Sequence, residues 1–460
     1  MLSCLTEYYR CPEQYLSFAQ TGPLSVNAGY FQFGRGAICY GRYIGREPAA
    51  HPPGEHLNAV CDVQLKDGTI YLPFDPLEVV NNLRLENYAA DWRKGFPMSA
   101  LAALYYFVRP MLPVHVRKHV QEFYFRGWKN LKFPRWPVEC SVDNLLAQLL
   151  ALSLKASRTG RIPFIWFWPQ GATSCVIMTH DVETQRGCNS CKTLMDLDDS
   201  FGIKASFQLI PEQRYIVTTE FLASIRDRGF EIVIHDLNHD GHLYRNRKQF
   251  LERAAKINSY ATAYGAEGFR AASLYRKQVW YDALNFSYDM SIPNVAHLDP
   301  QRGGCCTVMP FFIGDILELP VTTTQDYTLF NILNDFSIEL WKQQMEIIME
   351  KHGLISFVVH PDYIVKSRHR QVYQALLTRL RCLQKESGVW IATPGEVNHW
   401  WRQRAEMRLR HGGDSWHIEG LGSERAALAY AVLDGDQLKY EIDGVPIGDR
   451  MGSVCESPSQ

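Results

Sequence analysis

Short apolar runs alternate with helical patterns between about residue 170 and residue 400. One intervening stretch, "TTEFLASIRDRG", begins with a threonine suited to cap a helix and ends with basic residues and a glycine. Apolar strands that alternate with helices are typical of a mostly parallel sheet. Seven or eight such units in about 230 residues favour a βα barrel over an open sheet. The apolar runs are "SCVIMTH", "KASFQLI", "FEIVIH", "GFRAAS", "FSYDMSIP", "DILELPVT", "LISFVVH" and "VWIATP".

The two ends of the chain differ from this central pattern. With 460 residues, the chain is longer than one ordinary domain. Residues 1–165 mix short strands with proline and glycine breaks, which predicts a separate α+β module of unknown function. Residues 166–402 carry the barrel pattern. Residues 403–460 alternate and turn at "DGD", which predicts a small β appendage followed by a disordered tail.

Charge and hydropathy narrow the class of protein. The chain has 48 basic and 49 acidic residues, a balance that argues against a general nucleic-acid surface. No window approaches the roughly 18 uncharged apolar residues of a membrane-spanning helix. The first residues also lack the basic and apolar pattern of a secretory signal. We therefore expect a cytoplasmic protein that spans no membrane and binds no nucleic acid; the sequence does not specify an oligomeric state.

The 12 cysteines are scattered along the chain. "CNSC", from Cys188 to Cys191, has the spacing of a metal or redox pair, but no second pair lies nearby in the sequence. We interpret these residues as ordinary thiols.

Ionisable and metal-binding residues recur at the carboxyl ends of the predicted strands. In a βα barrel those ends form the active face, so we expect the side chains to converge there. In chain order they are Asp181, Glu183, His235, His239, Arg270, Tyr275, Glu318, His360 and Asp362.

The spacing of two histidines indicates a metal site. If the chain turns helically after its strand, His235 and His239 face the same way. Two imidazoles with one carboxylate form a three-ligand site for a divalent metal that keeps a position open for water. Asp181 and Glu183 both offer that carboxylate, and the remaining acid would act as a base toward the water. His360 would protonate the leaving group. Together these parts predict metal-assisted hydrolysis of an amide or ester.

Two further histidines lie close to these residues in the sequence. His180 is expected to point to the opposite side of its strand from Asp181, away from the site. For His242, a place beside the site and a place in solvent both remain open.

Four short segments resemble the motifs of the polysaccharide deacetylase family, carbohydrate esterase family four, of the chitooligosaccharide deacetylase type. "THDVE", "HDLNH", "RAASLY" and "VVHPD" look like its first, second, third and last motifs. The resemblance covers about residues 170–400. It implies an α/β fold with a distorted seven-stranded (β/α) barrel between the N-terminal α+β module and the C-terminal β appendage. It also implies a divalent metal, expected to be zinc, with cobalt, nickel and manganese as alternatives, and an acetylated saccharide as substrate.

The resemblance implies a role for each residue of the motifs. Arg270 would orient the catalytic base through a charge-assisted hydrogen bond. The backbone N–H near Tyr275 would help to hold the oxyanion. The full set of implied roles is Asp181 as base, Glu183, His235 and His239 as metal ligands, His360 as acid, and Tyr275 and Asp362 as substrate-binding residues.

The sequence departs from the family pattern at two positions. Glu183 stands where the usual ligand is an aspartate, so the exchange of roles in which Asp181 binds the metal remains open. Ala272 stands where the third motif usually has proline. Asp289 and Asp299 are candidates for the acid that tunes the final histidine.

These features predict a metal-dependent deacetylase, a hydrolase of carbon–nitrogen bonds other than peptide bonds, that acts on an N- or O-acetylated saccharide. A cytoplasmic enzyme would act on a sugar precursor, a lipid-linked intermediate or a small amide. One alternative is a catalytically weak carbohydrate-binding or assembly protein of polysaccharide biosynthesis. Another is a metal hydrolase of a different substrate, such as a cyclic amide or a phosphoester, because fold does not fix substrate.

Overall fold

The front part of the chain, within residues 1–165, combines short strands with three helices among the described residues. The computed structural model describes residues 3–52, 57–89, 127–413, 415–442 and 445–446. Strands β1, β5 and β4 form one small sheet, and β2 and β3 form a hairpin. The elements are α1 (Ser3–Tyr9), β1 (Phe18–Gln20), β2 (Gly29–Phe33), β3 (Ala37–Gly41), β4 (Gln64–Lys66), β5 (Thr69–Leu72), α2 (Pro76–Arg84), α3 (Ser141–Ser157) and β6 (Arg161–Ile165).

The central part alternates strands and helices, as the sequence predicts. Its elements are β7 (Cys175–Val182), α4 (Gln185–Ser200), β8 (Ser206–Leu209), α5 (Thr219–Arg226), β9 (Glu231–His235), α6 (Arg247–Tyr264), β10 (Gly268–Arg270), β11 (Tyr288–Asp289), β12 (Phe311–Ile313), β13 (Ile316–Glu318), α7 (Glu339–Met349), β14 (Leu354–Val359), α8 (Pro361–Ile364), α9 (Ser367–Ser387), β15 (Trp390–Ala392) and α10 (Pro394–Glu406).

These strands form one curled sheet in the order β12-β13-β11-β10-β9-β8-β7-β14, and β15 pairs with β7 beside this path. Neighbouring strands are parallel except for β12, which is antiparallel to β13. Every residue of β7 and of β14 is buried, as expected for parallel strands covered on both faces. The predicted fold class, an α/β protein built on a distorted β/α barrel, is confirmed.

Threonines begin several of the helices that cover this sheet. The Thr218 hydroxyl accepts from the backbone N–H of Phe221, which confirms the cap predicted in "TTEFL". Thr184 caps α4 in the same way, and Thr393 forms a capping box with Glu396 at the start of α10. Each cap fixes where a helix leaves the strand that precedes it.

The C-terminal part consists of β16 (Arg408–Gly412), β17 (Ser415–Glu419), β18 (Leu428–Asp434), β19 (Gln437–Ile442) and β20 (Val445–Pro446). The predicted β appendage is confirmed, and the "DGD" turn joins β18 to β19 with Gly435 in the left-handed region at φ 60°. The predicted disordered tail lies outside the described residues.

The front and C-terminal parts pair with each other. Strand β6 is hydrogen-bonded to β18, which places it in one sheet of order β20-β19-β18-β6. Phe31 of the front part, Leu354 of the barrel and Ala431 of the C-terminal part belong to a common hydrophobic core. The boundaries drawn at residues 165 and 402 stay predictions.

Within the described ranges, no helix combines the length and the apolar character needed to cross a membrane.

Candidate metal centre

His235 is the last residue of β9, and its ring has a fixed tautomer. Its Nδ1 lies 3.1 Å from the backbone carbonyl oxygen of Arg270 on the neighbouring strand. A carbonyl oxygen only accepts hydrogen bonds, so Nδ1 carries the hydrogen and Nε2 keeps a lone pair. That Nε2 atom is buried and has no hydrogen-bond partner. A buried unpaired nitrogen is costly unless something else binds it.

His239 presents a second imidazole to the same point. The two rings lie 4.9 Å apart between centroids, and Nε2 of His239 is also buried without a hydrogen bond. The expectation of a helical turn between them is wrong. Asp236 and His239 instead adopt left-handed conformations at φ 57° and 56°, so an irregular loop brings the rings together.

Glu183, one residue beyond β7, supplies a carboxylate to this pair. Its Oε1 lies 2.8 Å from Nε2 of His239 and 3.9 Å from Nε2 of His235. The shorter contact has the length of a hydrogen bond but not its angle, so Nε2 of His239 has no hydrogen-bond partner. These two distances lie on either side of the about 3.0–3.4 Å that separates two ligands of one zinc ion. The three ligand atoms are therefore close enough to share one ion.

Glu183, His235 and His239 could accordingly hold a metal, since their ligand atoms all lie within 4.8 Å of one another. Partial burial by itself would raise the pKa of Glu183, but the adjacent histidines outweigh it and hold the pKa well below its ordinary value. The carboxylate is thus ionised, as a metal ligand must be. In the described part of the chain, no other group of three such residues meets this spacing.

Asp181 contacts Arg270 rather than the ligand cluster. Its Oδ1 accepts from the Arg270 guanidinium at 2.6 Å, and its Oδ2 lies 3.8 Å from Nε2 of His235. Arg270 is fully buried and also donates to Thr179 Oγ1 at 2.8 Å and to the Met290 carbonyl at 3.0 Å. Burial alone would raise the pKa of Asp181, but the charge of Arg270, followed by those of nearby histidines, lowers it. This geometry favours Glu183 as the ligand and leaves one oxygen of Asp181 available as a base.

His360, which follows β14, is held by an acid that the sequence did not identify. Its Nδ1 lies 2.6 Å from Asp326 Oδ1, and its backbone N–H donates to Asp326 Oδ2 at 2.9 Å. Burial would lower the pKa of His360, but the charges of Asp326 and Glu183 raise it well above its ordinary value. His360 is therefore protonated near neutral pH, with Nε2 3.5 Å from Glu183 Oε1.

Neither of the two candidates for that tuning acid contacts His360. Asp289 is hydrogen-bonded to Ser291 and Tyr281, and it shares a buried carboxyl pair with Glu318, the strand-end residue of β13. Asp299 accepts from Gln325 at 3.2 Å.

Arg214 is another residue that sequence reasoning missed. It lies in the loop after β8, and its guanidinium donates to the carbonyl oxygens of Asn238 at 3.1 Å and His239 at 2.6 Å. These two bonds hold the irregular loop that carries the second imidazole. An exposed arginine in a loop gives no sequence signal for this contact.

The structure places Tyr275 and Asp362 at the edge of the site. A methyl group on Gly241 would lie 3.7 Å from Tyr275 Cε2, so this ring borders the loop of His239. The Tyr275 N–H donates to the Ala272 carbonyl at 3.1 Å, and an oxyanion contact from a backbone N–H near Tyr275 stays a prediction. Asp362 Oδ1 accepts from the Thr184 hydroxyl at 2.6 Å, next to Glu183. A role of either side chain in substrate binding stays a prediction.

His180, His242 and the cysteine pair lie outside the cluster. His180 Nε2 lies 2.9 Å from Asp198 on α4, on the far side of the strand, as predicted. The side chain of His242 is 54% exposed, which places it in solvent. Cys188 and Cys191 are free thiols on α4.

The sequence matches no protein-family model and no curated protein. Solved structures with a similar fold do exist. A polysaccharide deacetylase from Mycobacterium smegmatis, described as putative, is 16% identical with a TM-score of 0.42, covering 55% of this chain and 98% of its own. The allantoinase Puue is 12% identical with a TM-score of 0.42, covering 51% and 92%. A probable polysaccharide deacetylase from Pseudomonas aeruginosa is 13% identical with a TM-score of 0.41, covering 51% and 93%.

The resemblance predicted from the motifs is thus confirmed as a structural match over about half of this chain. At these identities and TM-scores the matches concern fold, and they establish neither substrate nor activity.

Proposed function

We propose that this protein is a metal-dependent hydrolase that removes an acetyl group from an N- or O-acetylated saccharide. One observation carries the proposal. Two buried, unpaired imidazole nitrogens converge with a carboxylate, between a second carboxylate and a protonated histidine. Hydrolysis of an amide or ester needs such a base and such an acid on either side of a polarised carbonyl.

Glu183, His235 and His239 would hold the metal, and zinc suits two nitrogens and one oxygen, with cobalt, nickel or manganese as alternatives. When bound, such an ion polarises a carbonyl oxygen and lowers the pKa of water toward about 7. The donor set fits this role because both nitrogens lack any other partner.

Asp181 would accept the proton of the attacking water. Its Oδ1 is occupied by Arg270, so Oδ2 is the atom available for the transfer. Because the pKa of Asp181 is held below its ordinary value, the base is ionised across the neutral range. Arg270 is fully buried and also donates to Thr179 and Met290, so it fixes the direction of that oxygen.

His360 would donate a proton from Nε2 to the departing nitrogen or oxygen of the sugar. Its other nitrogen is bound to Asp326, which fixes the ring and supports its positive charge. Tyr363 lies 5.5 Å from His360 between ring centroids and is half-buried, so we propose that its ring contacts the sugar. A cytoplasmic location, with a sugar precursor or lipid-linked intermediate as substrate, stays part of the proposal.

The acid and base also favour catalysis over the alternative of a carbohydrate-binding protein. Sugar binding alone requires neither a carboxylate buried against an arginine nor a histidine paired with an aspartate, and burying such charges is costly.

Acetate release from acetylated sugar oligomers, with and without added zinc or cobalt, tests the proposal. We expect metal-dependent release, lost in His360→Ala while sugar binding persists, and retained in the exposed control His242→Ala. Metal-loaded protein that releases no product from acetamido, ester and small amide substrates would overturn it.

A further inference from the structure

The loop that follows Arg270 has a strained backbone. Ser273 and Leu274 have positive φ of 54° and 53° within a turn that the Leu274 and Tyr275 N–H groups close by donating to Ala271 and Ala272. Side-chain-bearing residues rarely adopt this conformation, and it persists where surrounding contacts enforce it. The turn places the ring of Tyr275 against Gly241, two residues beyond His239.

Arg276 supplies contacts that hold this turn. Its Nη1 donates to the Leu274 carbonyl at 2.8 Å, and its backbone N–H donates to Gln301 Oε1 at 3.1 Å. Both bonds act on residues adjacent to Tyr275. The position of the Tyr275 ring therefore depends on where the Arg276 guanidinium lies.

Glu86 of the front part fixes that guanidinium. Its Oε2 accepts from Arg276 Nε at 2.6 Å, and its Oε1 accepts from Arg276 Nη2, so the contact is bidentate. Both side chains are 0% exposed. Gln278 Nε2 at 3.0 Å and the Gly304 N–H at 2.6 Å also donate to this carboxylate. A buried ion pair so fully hydrogen-bonded holds its partners in one geometry.

The barrel is shaped to receive Glu86. A Cβ on Gly303 would lie 2.3 Å from Glu86 Oε1, so this approach requires glycine. Tyr88 adds a hydrogen bond of 2.7 Å from its hydroxyl to the Gly304 carbonyl. Trp136 of the front part and Leu274 of the strained turn also line one narrow cleft.

We propose that Glu86 is a positioning residue for the reaction: acting through Arg276, it holds the turn that presents Tyr275 beside the metal-ligand loop. The front part of the chain thereby takes part in substrate binding through Glu86, which is not one of the three candidate metal ligands. The expected effect on KM rests on the proposed function, whereas the Glu86–Arg276 contact between the front part and the barrel does not.

Arg276→Lys tests this inference directly. Lysine keeps the charge opposite Glu86 but cannot make the bidentate contact and also reach Leu274, since it lacks the planar fork of arginine. We expect KM to rise by about tenfold with kcat within about threefold, because the loop binds substrate and does not carry the proton transfer. In a Tyr275→Ala background the same change should have no further effect on KM, because both act through one ring. The control is Arg42→Lys, which alters the exposed Arg42–Glu78 pair of the front part and should change neither constant.

Hydrogen exchange supplies a readout that does not depend on activity. The amides of Leu274 and Tyr275 donate to Ala271 and Ala272, so they report whether the turn is closed. In Arg276→Lys we expect both to exchange about tenfold faster or more, with the Arg42→Lys protein unchanged. If lysine prevents folding, the double variant Glu86→Gln with Arg276→Gln removes both charges together and is measured in the same way.

Unchanged exchange at both amides in a folded variant overturns the inference, and so does a KM effect that adds to that of Tyr275→Ala. Faster exchange in a protein without any hydrolase activity would instead contradict the proposed function alone.

Discussion

Both carboxylate oxygens of Asp326 contact His360, one at the ring nitrogen Nδ1 and the other at the backbone N–H. The double contact fixes the ring and supports its charge at once, which is what a general acid requires. Since the carboxylate raises the pKa of His360, the acid form persists to higher pH than for an ordinary histidine.

Asp326→Asn should therefore shift the alkaline side of the pH profile. Without the negative charge, the pKa of His360 falls, so its proton is lost at lower pH and activity declines earlier as pH rises. We expect kcat at neutral pH to drop by less than the about 10²–10⁴-fold that general acid catalysis contributes in full, because His360 itself remains. The measurement is kcat/KM against pH for the variant and the parent protein. An alkaline limb that stays in place would show that His360 does not act as the acid.

The sequence could identify the ligands because they lie at or within four residues of the ends of β7 and β9, where barrel geometry brings side chains together. The sequence did not identify Asp326 because this residue lies eight residues beyond the end of β13, where the position of the strand no longer predicts the direction of a side chain. The contact between Glu86 and Arg276 joins residues 190 positions apart and follows no local periodicity, so only the packed fold reveals it.

One short strand of the sheet was absent from the sequence prediction. Strand β12 is three residues long, and such a length gives little alternation to detect. Strands β7 and β14 are long and fully buried, and their apolar runs predict them most clearly.

Removing one ligand should remove the metal. Glu183→Ala and His235→Ala leave two protein ligands, too few to hold the ion tightly. Elemental analysis of the purified proteins should find about one equivalent in the parent and far less in each variant. The exposed His242→Ala should retain the parent content, because that side chain faces solvent. Full metal content in His235→Ala would place the ion elsewhere.

The parent protein should also lose stability on chelation. A ligand that binds only the folded state stabilises it by about 2.7 kcal/mol at a hundred times its Kd, so a chelator should lower Tm and added zinc should restore it. In His235→Ala, Tm should respond to neither treatment. An equal response in that variant would indicate metal binding outside the cluster.

Arg270→Gln should move the acidic side of the pH profile. The guanidinium is the main group that lowers the pKa of Asp181, so its loss lets burial raise that pKa. The base then becomes protonated at higher pH, and activity should decline earlier as pH falls. The acidic limb of kcat/KM measures this shift. A limb that does not move, with kcat lowered uniformly, would indicate that Arg270 acts on orientation alone.

His352 should make the fold sensitive to acid. Its Nδ1 lies 3.1 Å from the Thr173 carbonyl and its ring lies near Trp166 and Tyr440, so it joins the barrel to the C-terminal part. Burial lowers the pKa of His352 to about 4, from 6.5 when exposed. The unfolded chain therefore binds the proton first, and stability falls as pH drops from 6.5 toward 4.

Because of His352, the free energy of unfolding should be about 2 kcal/mol lower at pH 5 than at pH 7. His352→Gln removes the titrating group, so urea denaturation should show a loss between these two pH values that is smaller by that amount. His242→Gln is the control, since its exposed ring should leave the parent difference intact. A histidine that stays neutral in the fold must contribute to the loss of stability in acid. If His352→Gln and the parent lose equal stability over this interval, another buried group governs the acid response.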